Sequence, residues 1–169
     1  MDGRLSASRV LRGPLALLTC AGLAFATAAH AHETLRAINP PALPPAHGYS
    51  HVVVAPAGRM VSISGQVAMD SEGGVIGEGD FRAQCVQVFE NLRIALESAG
   101  LDFKDVVRTD MYVTDLSHLD VLREVRARYL PADAPATSTL VKVDALFRPG
   151  LMIEVAAEAV LPAGRKPPG

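Results

Sequence analysis

An α+β fold, one mixed sheet carrying two helices on one face as a two-layer sandwich, is predicted by three observations. Short runs rich in β-branched residues alternate in character along the chain, as half-buried strands do. Two segments instead repeat their apolar residues every three or four positions, as amphipathic helices do. These segments follow one another as ββ, α, β, α, ββ, so both helices can cover one face of a five- or six-stranded sheet.

Residues 1–31 stand apart: Arg4, Arg9 and Arg12 lead, Leu15 to Ala29 are apolar, and Ala29-His30-Ala31 offers a small-x-small cleavage signal. Those three features together predict a secretory signal peptide, hence a periplasmic or secreted protein beginning at His32. Residues 32–48 hold four prolines without sustained periodicity and read as an N-terminal arm. YSHVVVA (Tyr49 to Ala55) and RMVSISG (Arg59 to Gly65), separated by Pro-Ala-Gly, read as a β-hairpin. A glycine-rich loop then ends at Asp80, a natural cap for the helix predicted from Phe81 to Ala99. Its stripe is Phe81, Cys85, Val88, Phe89, Leu92, Ala95, Leu96 and Ala99, its polar side includes Gln84 and Asn91, and Gly100 closes it.

DVVRTDMYVTD (Asp105 to Asp115) is a strand with Val107, Thr109, Met111 and Val113 on one face. Ser117 is expected to cap a second helix bearing Leu119, Leu122, Val125 and Tyr129, stopped at Pro131. Strands near Thr137 to Val143 and Leu151 to Val160 complete a domain spanning residues 49–161, and residues 162–169 form a tail expected to be loose.

The last strand, LMIEVAAEAV, puts Ile153, Val155, Ala157 and Ala159 on one face and Glu154 and Glu158 on the other. By the same parity, the face away from the helices draws on Ser62, Ser64, Arg108, Asp110, Tyr112, Ser138, Leu140, Lys142, Met152, Glu154 and Glu158. Such a mixed surface suits packing between subunits, which sets Glu154 at or near a boundary.

Composition narrows the function. Sixteen basic residues against eighteen acidic give a net charge of −2, with no basic run to engage nucleic acid. Of Cys20 and Cys85 only the second lies beyond the predicted cleavage point, so no internal disulfide is available there, and its apolar setting reads as a small buried thiol. His32, His47, His51 and His118 form no HxH or HExxH pattern, and no metal site is expected.

Several ordered blocks then resemble one family: SGQVAMD, AQCVQVFENLRIALESAG, DVVRTDMYVTDL, PAxSTLVKV and RPGLMIEVAAEAV look like the RidA/YjgF family of imine deaminases, from about Tyr49 to Val160. The resemblance implies a chorismate-mutase-like (YjgF-like) fold assembled as a homotrimer, with small-molecule clefts between subunits. It implies hydrolysis of small imines and enamines such as 2-aminoacrylate, with no metal or organic cofactor. It makes Glu154 the residue that handles water. It assigns ligand contacts to Tyr49, to Ser64-Gly65-Gln66, and to Ser138 and Thr139. The family's substrate-binding arginine falls at Thr137, a departure that removes a charge-assisted, bidentate contact. Arg123 matches another cleft-lining position and offers a cation from a different wall, against the plainer reading of Arg123, Arg126 and Arg128 as a solvated helix face. Two readings follow from the resemblance: an exported deaminase with altered or weakened activity, or a non-catalytic trimeric binder of a small metabolite.

Overall fold

The computed structural model describes residues 35–168, so the expected leader at residues 1–31 lies outside the described residues. Six strands and two helices follow in chain order: β1 (Arg36–Ile38), β2 (Val52–Val54), β3 (Gly58–Val67), α1 (Phe81–Ser98), β4 (Val106–Val113), α2 (Leu119–Arg126), β5 (Thr137–Lys142) and β6 (Ile153–Pro162). The principal sheet has four strands in the order β3-β6-β4-β5, and β1-β2 is a separate two-stranded ribbon. The sheet is therefore smaller than the five or six strands expected. The hairpin between Tyr49–Ala55 and Arg59–Gly65 does not form either: Val52–Val54 pair with Arg36–Ile38 in the proline-rich arm, while β3 pairs antiparallel with β6 from Gly58↔Pro162 onward. Pro56, which has no N–H to contribute to a ladder, stands between the two runs and ends the first.

Strand β6 is interior, antiparallel to both β3 and β4. Strands β4 and β5 run parallel, a pairing that needs a crossover, and α2 provides it. Helix α1 begins where its sequence asks, with the Asp80 carboxylate accepting from Ala83 N–H, a cap worth about 1 kcal/mol. Beyond its end Gly100 takes φ +73°, the left-handed conformation that glycine adopts without a Cβ penalty. Phe81, Cys85, Val88, Phe89, Leu92 and Leu96 are buried from α1, and meet Leu122 and Val125 of α2 and Ile153, Val155, Ala157 and Ala159 of β6. Each large side chain so buried contributes roughly 1.5–3 kcal/mol, which makes the helix-to-sheet layer the main source of stability.

Three local expectations change. Asp115, not Ser117, caps the turn before α2: its carboxylate accepts from Ser117 N–H within a 3-10 turn at Leu116–His118. Helix α2 ends at Arg126, five residues short of Pro131, and Tyr129 lies in the turn that follows it. Arg126 is not part of a solvated face, because it is only 8% exposed. At the far end of the chain Arg165 donates to the Asp105 carboxylate at 2.7 Å, an attachment between the tail and the start of β4.

Candidate functional site

The alternation read from LMIEVAAEAV holds. Ile153, Val155, Ala157 and Ala159 are buried under the helices, while Glu154, Ala156 and Glu158 are half-buried on the opposite face. Because β6 is interior, Glu154 has a neighbour on both sides, Val67 of β3 and Tyr112 of β4. A bulge in β3, between Ile63 and Gln66, brings the backbone of Ser64-Gly65 under its side chain. A Cβ added at Gly65 would lie 2.8 Å from Glu154 Cδ and 2.9 Å from Cγ, and would collide with Oε1. Glycine at 65 is thus the condition for the carboxylate to rest against the main chain. The Gln66 amide closes the bulge by donating to the Ser64 carbonyl at 3.0 Å.

Two polar residues of α1 hold this arrangement from behind. The Asn91 side-chain amide donates to the carbonyls of Val67 and Met69, both at 2.9 Å, and so fixes the end of β3. Gln84, fully buried, donates to the Gly77 and Gly150 carbonyls at 3.2 and 2.6 Å and accepts from Met152 N–H at 2.8 Å. Met152 is two residues before Glu154. Both residues fall on the polar side of the helix pattern, and their spacing of seven is the one sequence signal that marks them as a shared ridge.

The rest of the outward face is set by register. Ser62, Glu158, Arg108 and Thr137 stand side by side across the four strands, as do Ala156, Asp110 and Thr139. Hence β5 turns Thr137, Thr139 and Val141 outward, and Ser138, Leu140 and Lys142, expected there, belong to the helix side; Leu140 packs on the core. Arg108 pairs with Asp110, Nε to Oδ2 at 3.0 Å, and this carboxylate holds the guanidinium above its usual pKa range. Arg108 therefore stands beside Thr137 with its charge already matched. The Thr137 hydroxyl donates to the Val107 carbonyl at 3.0 Å.

The expected site residues fall into two groups. Glu154 and Ser64-Gly65-Gln66 form the first. Thr137 lies four residues along β4 from the Glu154 rung, a separation of about 13 Å at strand spacing. It belongs with the second group, at the start of β5, where Ser50 donates through its hydroxyl to the Pro135 carbonyl at 2.6 Å and through its N–H to Ala136 at 3.1 Å. That clamp brings Tyr49 to the same end of the sheet, its ring edge-on to His51 at 5.4 Å between centroids. Arg123 lines a cavity of about 400 Å3 there, with His47, Gly48 and Pro135, residues that flank the Tyr49 and Thr137 segments. Within one chain that cavity shares no lining residue with the Glu154 group. Cys85 stays outside both groups; burial pushes its thiol up to about 12, leaving it a packing residue.

Known proteins resemble this arrangement over most of the chain. Residues 40–161 match the family described as Endoribonuclease L-PSP. Protein DfrA of Myxococcus xanthus is 38% identical over 133 residues, covering 79% of this chain and 94% of that protein. Among solved structures, the Rid-family protein YyfB of Yersinia pestis is similar with a TM-score of 0.71 and 37% identity, over 76% of this chain and all of that one. RidA of an Antarctic Psychrobacter gives 0.56 and 35%, over 63% and 94%. Fold and sequence together define a small-molecule-binding α+β fold of a kind that is typically oligomeric. The chain belongs to the Rid/YjgF family.

Proposed function

We propose that this chain is an exported, trimeric deaminase that hydrolyses small imines and enamines, such as 2-iminopropionate and 2-aminoacrylate, with activity altered by threonine at 137. The observation that carries the reading is the Glu154 carboxylate seated on the Gly65 main chain at a strand bulge, an arrangement that costs the chain a side chain at 65 and has no evident packing benefit. In this reaction Glu154 takes a proton from water as the water oxygen attacks the imine carbon. The C=N electron pair moves to nitrogen, which receives that proton. The carbinolamine then collapses: Glu154 relays the hydroxyl proton to nitrogen as the C–N bond breaks, so the carbonyl forms and ammonia leaves. The two groups of site residues, separated on one chain, are completed in this reading by a second subunit, so that the Glu154 group of one copy faces the Tyr49, Arg123 and Thr137 group of its neighbour. Thr139 extends the second group along β5, Ser138 serves it through its main chain because its side chain faces the helices, and the main chain of Ser64-Gly65-Gln66 supports the ligand from the first.

Thr137 favours one other reading, a non-catalytic exported binder of a small metabolite. Its hydroxyl is committed to Val107 and brings no charge, and the neighbouring Arg108 is paired with Asp110. The family description as an endoribonuclease is not carried over, since an acidic chain offers little to phosphate. The deciding experiment is the hydrolysis rate of freshly generated 2-iminopropionate by the chain from His32, beside Glu154→Gln, Thr137→Arg and a protein-free control. A rate above control that Glu154→Gln abolishes supports the deaminase. A background rate in the parent with a gain in Thr137→Arg supports the binder.

A further inference from the structure

Tyr112 stands directly beside Glu154 as its partner across β4 and β6, and on its other side is Val141 of β5. Opposite residues of an antiparallel pair have Cβ atoms about 4.5–5.5 Å apart, so the phenol and the carboxylate rise from one patch of the outward face. The carboxylate leans toward β3, against Gly65, which leaves the space on its β4 side bordered by Tyr112. The next rung sets only the methyl group of Ala156 beside that space. Asp110 chiefly holds the Arg108 guanidinium above its usual pKa range, and the Tyr112 phenol acts on the same guanidinium, so it lies over this stretch of β4. Among the described residues no hydrogen bond engages the Tyr112 hydroxyl or the Glu154 carboxylate, whereas the Tyr129 hydroxyl donates to Glu90 at 2.8 Å. Every fully buried side-chain nitrogen or oxygen among the described residues has a partner, so these two unpartnered groups are reachable from outside the chain.

An ionised carboxylate only accepts and a phenol donates, so this rung presents an acceptor and a donor to one space. We propose that Tyr112 is a further catalytic residue of the Glu154 site, its hydroxyl donating to the nitrogen of a small imine while Glu154 holds the attacking water. The phenol polarises the C=N bond and stabilises the electron pair as it moves to nitrogen. It keeps its own proton throughout, so the water proton still travels through Glu154 to nitrogen and the O–H bond of Tyr112 neither breaks nor forms. In the keto-acid product the carbonyl oxygen stands where the imine nitrogen stood, and the same hydroxyl donates to it. Val141, 42% exposed on the same rung, covers the alkyl part of the ligand. The catalytic part rests on the deaminase reading; the hydrogen bond to the ligand does not, because a binder of a small keto acid makes it equally.

The test is Tyr112→Phe in the full chain, which deletes one oxygen and keeps the ring. Two readouts are taken on parent and variant: kcat and KM for freshly generated 2-iminopropionate, and titration with pyruvate followed by calorimetry and by the Tyr112 ring resonances. The variant is expected to lose roughly 10²-fold in kcat, as when one preorganised donor is removed, with KM little changed and the melting temperature and oligomeric mass kept. Pyruvate is expected to shift the Tyr112 resonances in the parent and to bind about fivefold more weakly to the variant, the worth of one neutral hydrogen bond. Parental kcat in the variant overturns the catalytic role. So does a loss of kcat that comes with a lower melting temperature or a changed oligomeric mass, which makes the hydroxyl structural. A parent at the background rate whose pyruvate affinity falls in Tyr112→Phe ends the deaminase reading and keeps Tyr112 as a ligand-binding residue. A parent at the background rate whose pyruvate binding is absent, or equal in the variant, ends both.

Discussion

Replacing Gln84 with leucine isolates the contribution of one buried polar side chain to the position of the Glu154 strand. Leucine nearly preserves volume, so little cavity forms, and what changes is three hydrogen bonds: two accepted by Gly77 and Gly150, one donated by Met152. At about 1 kcal/mol net per bond the loss is about 3 kcal/mol, and more where the stranded backbone groups stay dry. An unfolding entropy of roughly 2.1 cal/mol/K per residue over the ordered domain converts this to a fall of roughly 10 °C in melting temperature. The assay is a thermal melt at fixed protein concentration, since assembly also stabilises. Gln84→Glu is the companion variant, because it retains the acceptor for Met152 while turning a carboxylate toward two carbonyls. A drop of less than about 3 °C for the leucine variant would refute the reasoning, for it would mean that the loops at 77 and 150 find other partners without difficulty.

Two further predictions concern the site and its surroundings. Gly65→Ala should displace the Glu154 side chain by about 1 Å, enough to lower imine hydrolysis roughly 10²-fold at a cost of only about 1 kcal/mol in stability; combined with Glu154→Gln it should add almost nothing, and additive losses in the double variant would separate the two residues. The Glu124 carboxylate, held by Arg82 and Arg128, lies well below its ordinary value of 4.5, at about 2. A depressed folded value stabilises above pH 4.5 and is lost as pH falls toward 2, so Glu124→Gln should flatten the acid limb of the melting-temperature profile across that window. High salt should shrink the difference, since the pair is half exposed. An unchanged acid limb would show that the pair contributes nothing to folding.

Helix α1 was legible because its signals are local: a cap at Asp80, an apolar stripe and Gly100 all act within a few residues of where they are read. Glu154 was legible for a similar reason, since alternation along one strand decides its face. Pairing partners were not. Alternation says which face a residue takes but not which strand lies beside it, so the sequence pattern points β2 to the nearest run while its partner is in the proline-rich arm. The same limit shifted β5 by one residue and exchanged Ser138 and Leu140 for Thr137 and Thr139 on the outward face. Gln84, Asn91 and Arg126 look like solvated helix residues because their burial is decided by loops remote in sequence, at 77 and 150, at 67 and 69, and at 47 and 48. Nothing in a helical pattern announces a carbonyl that arrives from elsewhere.

The interior place of β6 has a consequence for the order in which the molecule can be made. Gly58 and Pro162 are partners at opposite ends of the domain, so β3 has no neighbour in its sheet until nearly the whole chain exists. Until then the nascent chain can join β4 to β5 through α2 and lay α1 against β3, but the strand that joins β3 to β4 in the sheet is missing. Synthesis therefore keeps the polypeptide open until its final strand appears, and that same strand brings Glu154. The complete sheet and the Glu154 carboxylate are acquired together, so a chain that ends before residue 153 has neither.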